Sequence, residues 1–175
     1  MLRDYRYEKF HTLLKNVGMT TVTNTADHYG LSLILGGAEG TLWDISGIYA
    51  SMARTLNNFF EHPGSNRYSK SDFHPPMYVH SKNEKGELEE NSWMSAASIY
   101  LTFDALTQVY RPGEETGWRY FTNAKKIAWK TGTSFGFRDA WAVGVTPRYV
   151  VGVWVGNADG EGRPGLTGTE AAAPV

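Results

Sequence analysis

Lys130-Thr131-Gly132-Thr133 places a cation, two hydroxyls and a position without a side chain within four residues, directly after the apolar run Ile127-Ala128-Trp129. In an extended chain side chains alternate, which puts Thr131 and Thr133 on one face and sends Lys130 to the other. Two hydroxyls on one face can grip a carboxylate, and the Thr133 N–H can donate to a developing oxyanion. Gly132, lacking a Cβ, lets another backbone lie flat against the strand. Those are the needs of peptide acyl transfer, with Lys130 the candidate catalytic residue and Thr131, Gly132 and Thr133 the candidate substrate-binding residues.

The elements that must position these residues are legible on both sides. Alternating apolar runs predict strands over 126–134, 139–146 and 149–156, the last two joined by a turn at Thr146-Pro147-Arg148, and three consecutive strands with short connections make an antiparallel meander. Upstream, Phe10, Leu13, Leu14 and Val17 recur at helical spacing before Gly18, which predicts an amphipathic helix over 5–17 with a glycine C-cap. A second helix starts at Thr41, whose hydroxyl can cap it, with Asp44 completing a capping-box pattern and Leu42, Ile45, Tyr49, Met52 and Leu56 on its apolar face; it ends near Asn57-Asn58. A third runs from Ser95 to about Val109 with Ile99, Phe103 and Leu106 inward, and Pro112-Gly113 stops it. The loop between these two helices, with His74-Pro75-Pro76 and the charges of 84–90, leaves room for one short hairpin. Helices followed by a terminal meander give an α+β class, an antiparallel sheet flanked by helices.

With those strings in place the chain resembles the transpeptidase domain of bifunctional (class A) penicillin-binding proteins, most closely the 1C type. The resemblance rests on Lys-Thr-Gly-Thr at 130–133, Asp-Ala-Trp-x-Val-Gly at 139–144 and Val-x-Val-Trp-Val-Gly at 151–156. Leu35-Gly36-Gly37-Ala38-Glu39 with the helix after it, and Leu166-Thr167-Gly168-Thr169-Glu170, extend it over nearly the whole chain. It implies a partial penicillin-binding/β-lactamase-like fold in which 1–175 is a single partial domain truncated at both ends. It also implies a peptidoglycan D,D-transpeptidase that cross-links stem peptides ending in D-Ala-D-Ala through an acyl-serine and is stopped by β-lactams, without a cofactor. Lys130 would orient a Ser-x-Asn hydroxyl and add positive potential, Thr131 and Thr133 would bind the substrate carboxylate, and the Thr133 N–H would form half an oxyanion hole. As a side chain at a strand end facing a cleft, Thr133 is expected to matter little for folding.

This chain departs from the family pattern at its chemical centre. No serine stands three residues before any lysine, so the Ser-x-x-Lys nucleophile is absent, and the isolated chain is expected to be inactive. A literal Ser81-Lys82-Asn83 falls in a charged stretch that reads as an exposed turn, and the family's Ser-x-Asn belongs upstream of position 1. The missing N-terminal part of the same domain is therefore an expected partner, and a periplasmic or extracellular location would depend on an anchor outside this piece. Alternatives are a non-catalytic peptidoglycan-binding or interaction module and a β-lactamase-related protein.

Composition narrows the remaining classes. Seventeen basic and eighteen acidic residues give a net charge of −1, which offers nucleic acid no electrostatic footprint, and 41% hydrophobic residues suit a packed domain. Without cysteine there is no disulfide, thiol catalysis or Cys-based metal site. The five histidines and the acids lack ligand spacing, so no metal site is expected. Gly160-x-Gly162-x-x-Gly165 copies a dinucleotide fingerprint, but Pro164 and the lack of a following βαβ unit make it a loop. Trp43, Trp129, Trp141 and Trp154 fall on predicted elements and are expected in the core, and Asp139 is given a structural partner such as Arg138 or nearby backbone.

Overall fold

The computed structural model describes residues 2–78, 87–109 and 126–175. The chain divides into two compact units, Met1–Ala96 and Ala97–Val175.

In the first unit the helix expected over 5–17 is interrupted. Helix α1 covers Leu2–Tyr5, Arg6 steps into positive φ (76°), and α2 restarts at Tyr7 and runs to Asn16. The restart brings the Tyr7 hydroxyl to Asp27, to which it donates at 2.7 Å, so a long-range bond decides where α2 begins. Its other end follows the sequence, with Val17 N–H donating to the Leu13 carbonyl at 2.9 Å and Gly18 at φ 114° turning the chain out. Helix α3 (Ala26–Tyr29) and a 3₁₀ helix (Gly30–Leu35) follow, and Val22, Tyr29 and Leu33 form a small core that takes Phe10 and Leu14 from the apolar face of α2.

Helix α4 spans Leu42–Glu61, and the Asp44 N–H donates to the Thr41 Oγ1 cap at 3.0 Å. The capping box does not close, because the Asp44 carboxylate turns instead to the backbone N–H (3.0 Å) and hydroxyl (2.6 Å) of Thr20. The helix also passes the predicted stop at Asn57-Asn58. Asn58 spends its amide on the buried Asp72, and His62 closes the helix by returning its backbone N–H to the Asn58 carbonyl at 3.1 Å. Asp72 further accepts the Ser69 N–H at 3.1 Å, at the start of the expected hairpin, here β1 (Tyr68–Ser69) paired antiparallel with β2 (Leu88–Glu89).

The second unit carries helix α5 (Ala96–Thr107, all but its first residue) and the meander of β3 (Ala128–Thr133), β4 (Asp139–Val145) and β5 (Val150–Gly156) in the order β3-β4-β5, antiparallel throughout. Ile99 is fully buried, and Phe103 and Leu106 are half-buried, as the helical spacing requires. The Pro112-Gly113 stop lies outside the described residues. Thr133 pairs with Ala140 and Thr131 with Ala142, and these in turn with Val155 and Val153 of β5. The small side chains on this face admit a π-helical turn, Gly168–Ala172, and Ala140, Ala142 and Ala172 form the buried centre of the contact. The architecture is α+β, helices with a three-stranded antiparallel sheet.

The tryptophans correct one expectation. Trp129 is buried, whereas Trp43 and Trp154 are 39% and 37% exposed and Trp141 is half-buried. Each surface ring has a partner that suits an amphipathic side chain: Trp43 stacks on Tyr78 at 4.6 Å, and Trp154 Nε1 donates to Asp139 Oδ1 at 2.9 Å. Asp139 thus has a structural partner across the sheet, not Arg138. Residues 157–167 form a loop, with Gly160 and Gly165 at positive φ.

Candidate functional site

The register settles which backbone groups of β3 are available. Ser134 N–H donates to the Asp139 carbonyl at 2.9 Å, so residues 134 and 139 form a hydrogen-bonded pair. Alternation then aims the backbone groups of Ala128, Lys130 and Gly132 at β4 and those of Trp129, Thr131 and Thr133 at the opposite edge. Among the described residues no strand covers that edge. The Thr133 N–H therefore projects from an edge that no described strand covers.

Side chains complete the arrangement. Lys130 reaches round to the same edge, its Nζ donating to the Thr131 carbonyl at 2.6 Å, and no carboxylate pairs with it among the described residues. Thr131 and Thr133 share the face of Ala142 and Ala140, as the period of two predicts. Thr133 has a second attachment that the sequence did not reveal. Its Oγ1 accepts the N–H of the buried Gly168 at 3.0 Å, so this hydroxyl anchors the first residue of the π-helical turn and is not free of folding duty. The tight approach expected at Gly132 is met from the other partner. A Cβ on Gly168 would overlap the carbonyl oxygens of Gly132 and Trp141, whereas one on Gly132 would meet only the Trp141 Cβ at 3.5 Å.

Two further residues shape the strand end. Ser134 Oγ accepts the Asp139 N–H at 2.8 Å and closes the β3–β4 hairpin, whose Gly136 and Phe137 both adopt positive φ. Arg163 N–H braces that turn through the Phe137 carbonyl at 3.0 Å, leaving Phe135 at the tip 98% exposed. Thr167 is a cap that sequence reasoning missed, although Thr-x-x-Glu is a capping-box pattern, and its Oγ1 accepts the Glu170 N–H at 3.3 Å. Ser81-x-Asn83 lies outside the described residues. Among those described, no group of acids and histidines could hold a metal ion, and no helix is long and apolar enough to cross a membrane.

The assembled features are a cation, two hydroxyls on one face and an outward N–H at a strand edge that no described strand covers. They can pair with an extended backbone, hold a carboxylate and donate to an oxyanion.

No family model matches the chain. It is 31% identical over all 175 residues to penicillin-binding protein 1C of Escherichia coli, of which it covers 20%. It is 32% identical, over 80% of its length, to 20% of penicillin-binding protein 1A of Rickettsia bellii. A stretch of 41 residues, 23% of the chain, is 51% identical to 7% of penicillin-binding protein 4 of Bacillus subtilis. The chain thus spans about a fifth of the length of the first two of these relatives.

Proposed function

We propose that this chain, a homologue of the penicillin-binding proteins, supplies the substrate-binding wall of a peptidoglycan D,D-transpeptidase. The observation that supports the reading is the edge of β3 that no described strand covers, with Thr131 and Thr133 on one face and the Lys130 ammonium drawn to that edge. A stem peptide ending in D-Ala-D-Ala pairs with this edge, its terminal carboxylate held by the two threonine hydroxyls and the positive potential of Lys130. The Thr133 hydroxyl can serve both partners, accepting from Gly168 while its proton remains for the carboxylate.

The nucleophile comes from a segment of the same protein outside these 175 residues. Its serine oxygen attacks the penultimate D-Ala carbonyl and gives up its proton to a base, and the Thr133 N–H stabilises the oxyanion. The C–N bond breaks, terminal D-Ala leaves with a proton, and an amine of a neighbouring stem peptide then displaces the serine. A β-lactam enters by the same route and stops at the acyl stage. Such an enzyme works outside the cytoplasmic membrane. The absence of Ser-x-x-Lys supports a second reading, a non-catalytic module that holds stem peptides at the same edge.

The binding step is testable on the chain as it stands. Titration with diacetyl-Lys-D-Ala-D-Ala, followed by amide NMR, should shift Thr131 and Thr133 saturably, and the L-Ala-L-Ala isomer should not. Equal response to both isomers, or none to either, would sink the reading. A fluorescent penicillin should leave no covalent adduct on residues 1–175 by mass spectrometry, and an in-frame Ser-x-x-Lys upstream separates the enzyme from the module.

A further inference from the structure

Within the first unit, one stripe of α2 faces a tryptophan that is distant in sequence. Lys9, Leu13 and Asn16 recur at i, i+4 and i+7, and with Arg6, Glu8, Thr12 and Trp93 they line a groove of about 470 Å³. Leu13 gives it an apolar floor, and Trp93 keeps 57% of its surface exposed. Some of the polar groups are already committed: Arg6 pairs with Glu8 at 3.2 Å, and Thr12 Oγ1 donates to the Glu8 carbonyl at 2.9 Å. The Lys9 ammonium and the Asn16 amide make no protein hydrogen bond among the described residues. Lys9 offers three donors, and Asn16 offers both donors and an acceptor.

An indole face beside uncommitted donors and an amide, in a concavity of ligand size, suits a molecule that is apolar on one flat side and ringed by hydrogen-bonding groups. A pyranose has that form. An acetamido group on the ring matches Asn16, whose amide can accept its N–H and donate to its carbonyl, and a hydroxyl or carbonyl oxygen matches Lys9. We propose that this groove binds an N-acetylated glycan, the polysaccharide part of the polymer whose stem peptides β3 receives. The choice of polymer rests on the reading of β3 given above, and the groove itself does not.

The test is NMR titration of the full chain with chitotetraose, an N-acetylglucosamine tetramer that carries no peptide, beside cellotetraose. The Trp93 indole signal should shift saturably with chitotetraose, and Trp93→Ala and Asn16→Ala should each weaken binding by about tenfold or more. Trp93→Phe keeps a stacking ring and should retain most of the affinity, which covers the case in which the alanine variant fails to fold. Absence of a saturable shift, equal binding of cellotetraose, or full binding by Asn16→Ala would each overturn the proposal. Addition of the D-Ala-D-Ala peptide to the same sample separates the two readings. A peptide response at Thr131 and Thr133 without a glycan response defeats this inference alone, and the reverse defeats the reading of β3.

Discussion

Thr133→Val tests the double use of one hydroxyl. Valine keeps the shape and β-branching of threonine, so β3 should form as before, but the Gly168 N–H loses its acceptor. Gly168 is buried, and an N–H left unpaired there costs about 1–3 kcal/mol, more than the bond itself is worth between exposed partners. For a unit of this size that loss lowers the melting temperature by roughly 5–15 °C. Thr133→Ser retains the acceptor and should melt within about 3 °C of wild type, losing only a methyl group. Thr131→Val supplies the contrast, because its hydroxyl has no protein partner among the described residues, and it should leave melting unchanged. Thermal unfolding by circular dichroism gives the ranking, and hydrogen exchange at the Gly168 amide locates the cause. If Thr133→Val melts with Thr133→Ser, or if Gly168 exchange stays slow in the valine variant, the hydroxyl does not anchor the π-helical turn.

Three other expectations follow from the same contacts. Gly168→Ala drives a Cβ into the carbonyls of Gly132 and Trp141, and lifting the turn should cost about 1–3 kcal/mol, while Thr169→Ala on the exposed side should be near neutral; equal melting of the two would refute the close approach. The hydrogen bond to the Asp27 carboxylate raises the Tyr7 phenol above its ordinary value of 10.0, so its contribution is complete below that pH and lost as pH rises through the raised value. Tyr7→Phe should flatten this alkaline slope in a series of melts, and an unchanged slope would remove the bond from the account. If the proposed function holds, then in a protein that joins this chain to a Ser-x-x-Lys segment Lys130→Ala should slow acylation by a β-lactam roughly ten- to a hundredfold, the worth of a charged hydrogen bond, with little change in melting, and a wild-type acylation rate would reduce β3 to a plain sheet edge.

The elements were legible where a local rule governed them. Period-two alternation located β3, β4 and β5 to within a few residues, and Thr41 and Gly18 marked helix ends through caps that act over one turn. The sequence misled where a distant partner outbid the local pattern. Thr20 drew the Asp44 carboxylate out of its capping box, Asp72 drew the Asn58 amide away from a helix stop, and Asp27 fixed the restart of α2 at Tyr7. Trp43 and Trp154 look like core residues by type, yet each indole also suits a surface partner, and pattern alone does not choose between those outcomes.

The same distinction runs through the site. Which residues line the β3 edge was readable from Lys-Thr-Gly-Thr and alternation, since both are properties of adjacent residues. What supports that edge was not, because Gly168 lies thirty-five residues beyond Thr133 and carries no side chain to advertise its role. Its missing Cβ allows the backbone to close on Gly132, and its N–H takes one acceptor position of the Thr133 hydroxyl. That bond holds the hydroxyl oxygen in place before any ligand arrives, which leaves its proton available at a smaller loss of side-chain entropy. Thr131, with no such bond, must be ordered by the ligand itself. If a carboxylate is held by both, loss of the Thr131 hydroxyl should weaken binding without altering the fold, and loss of the Thr133 hydroxyl should do both.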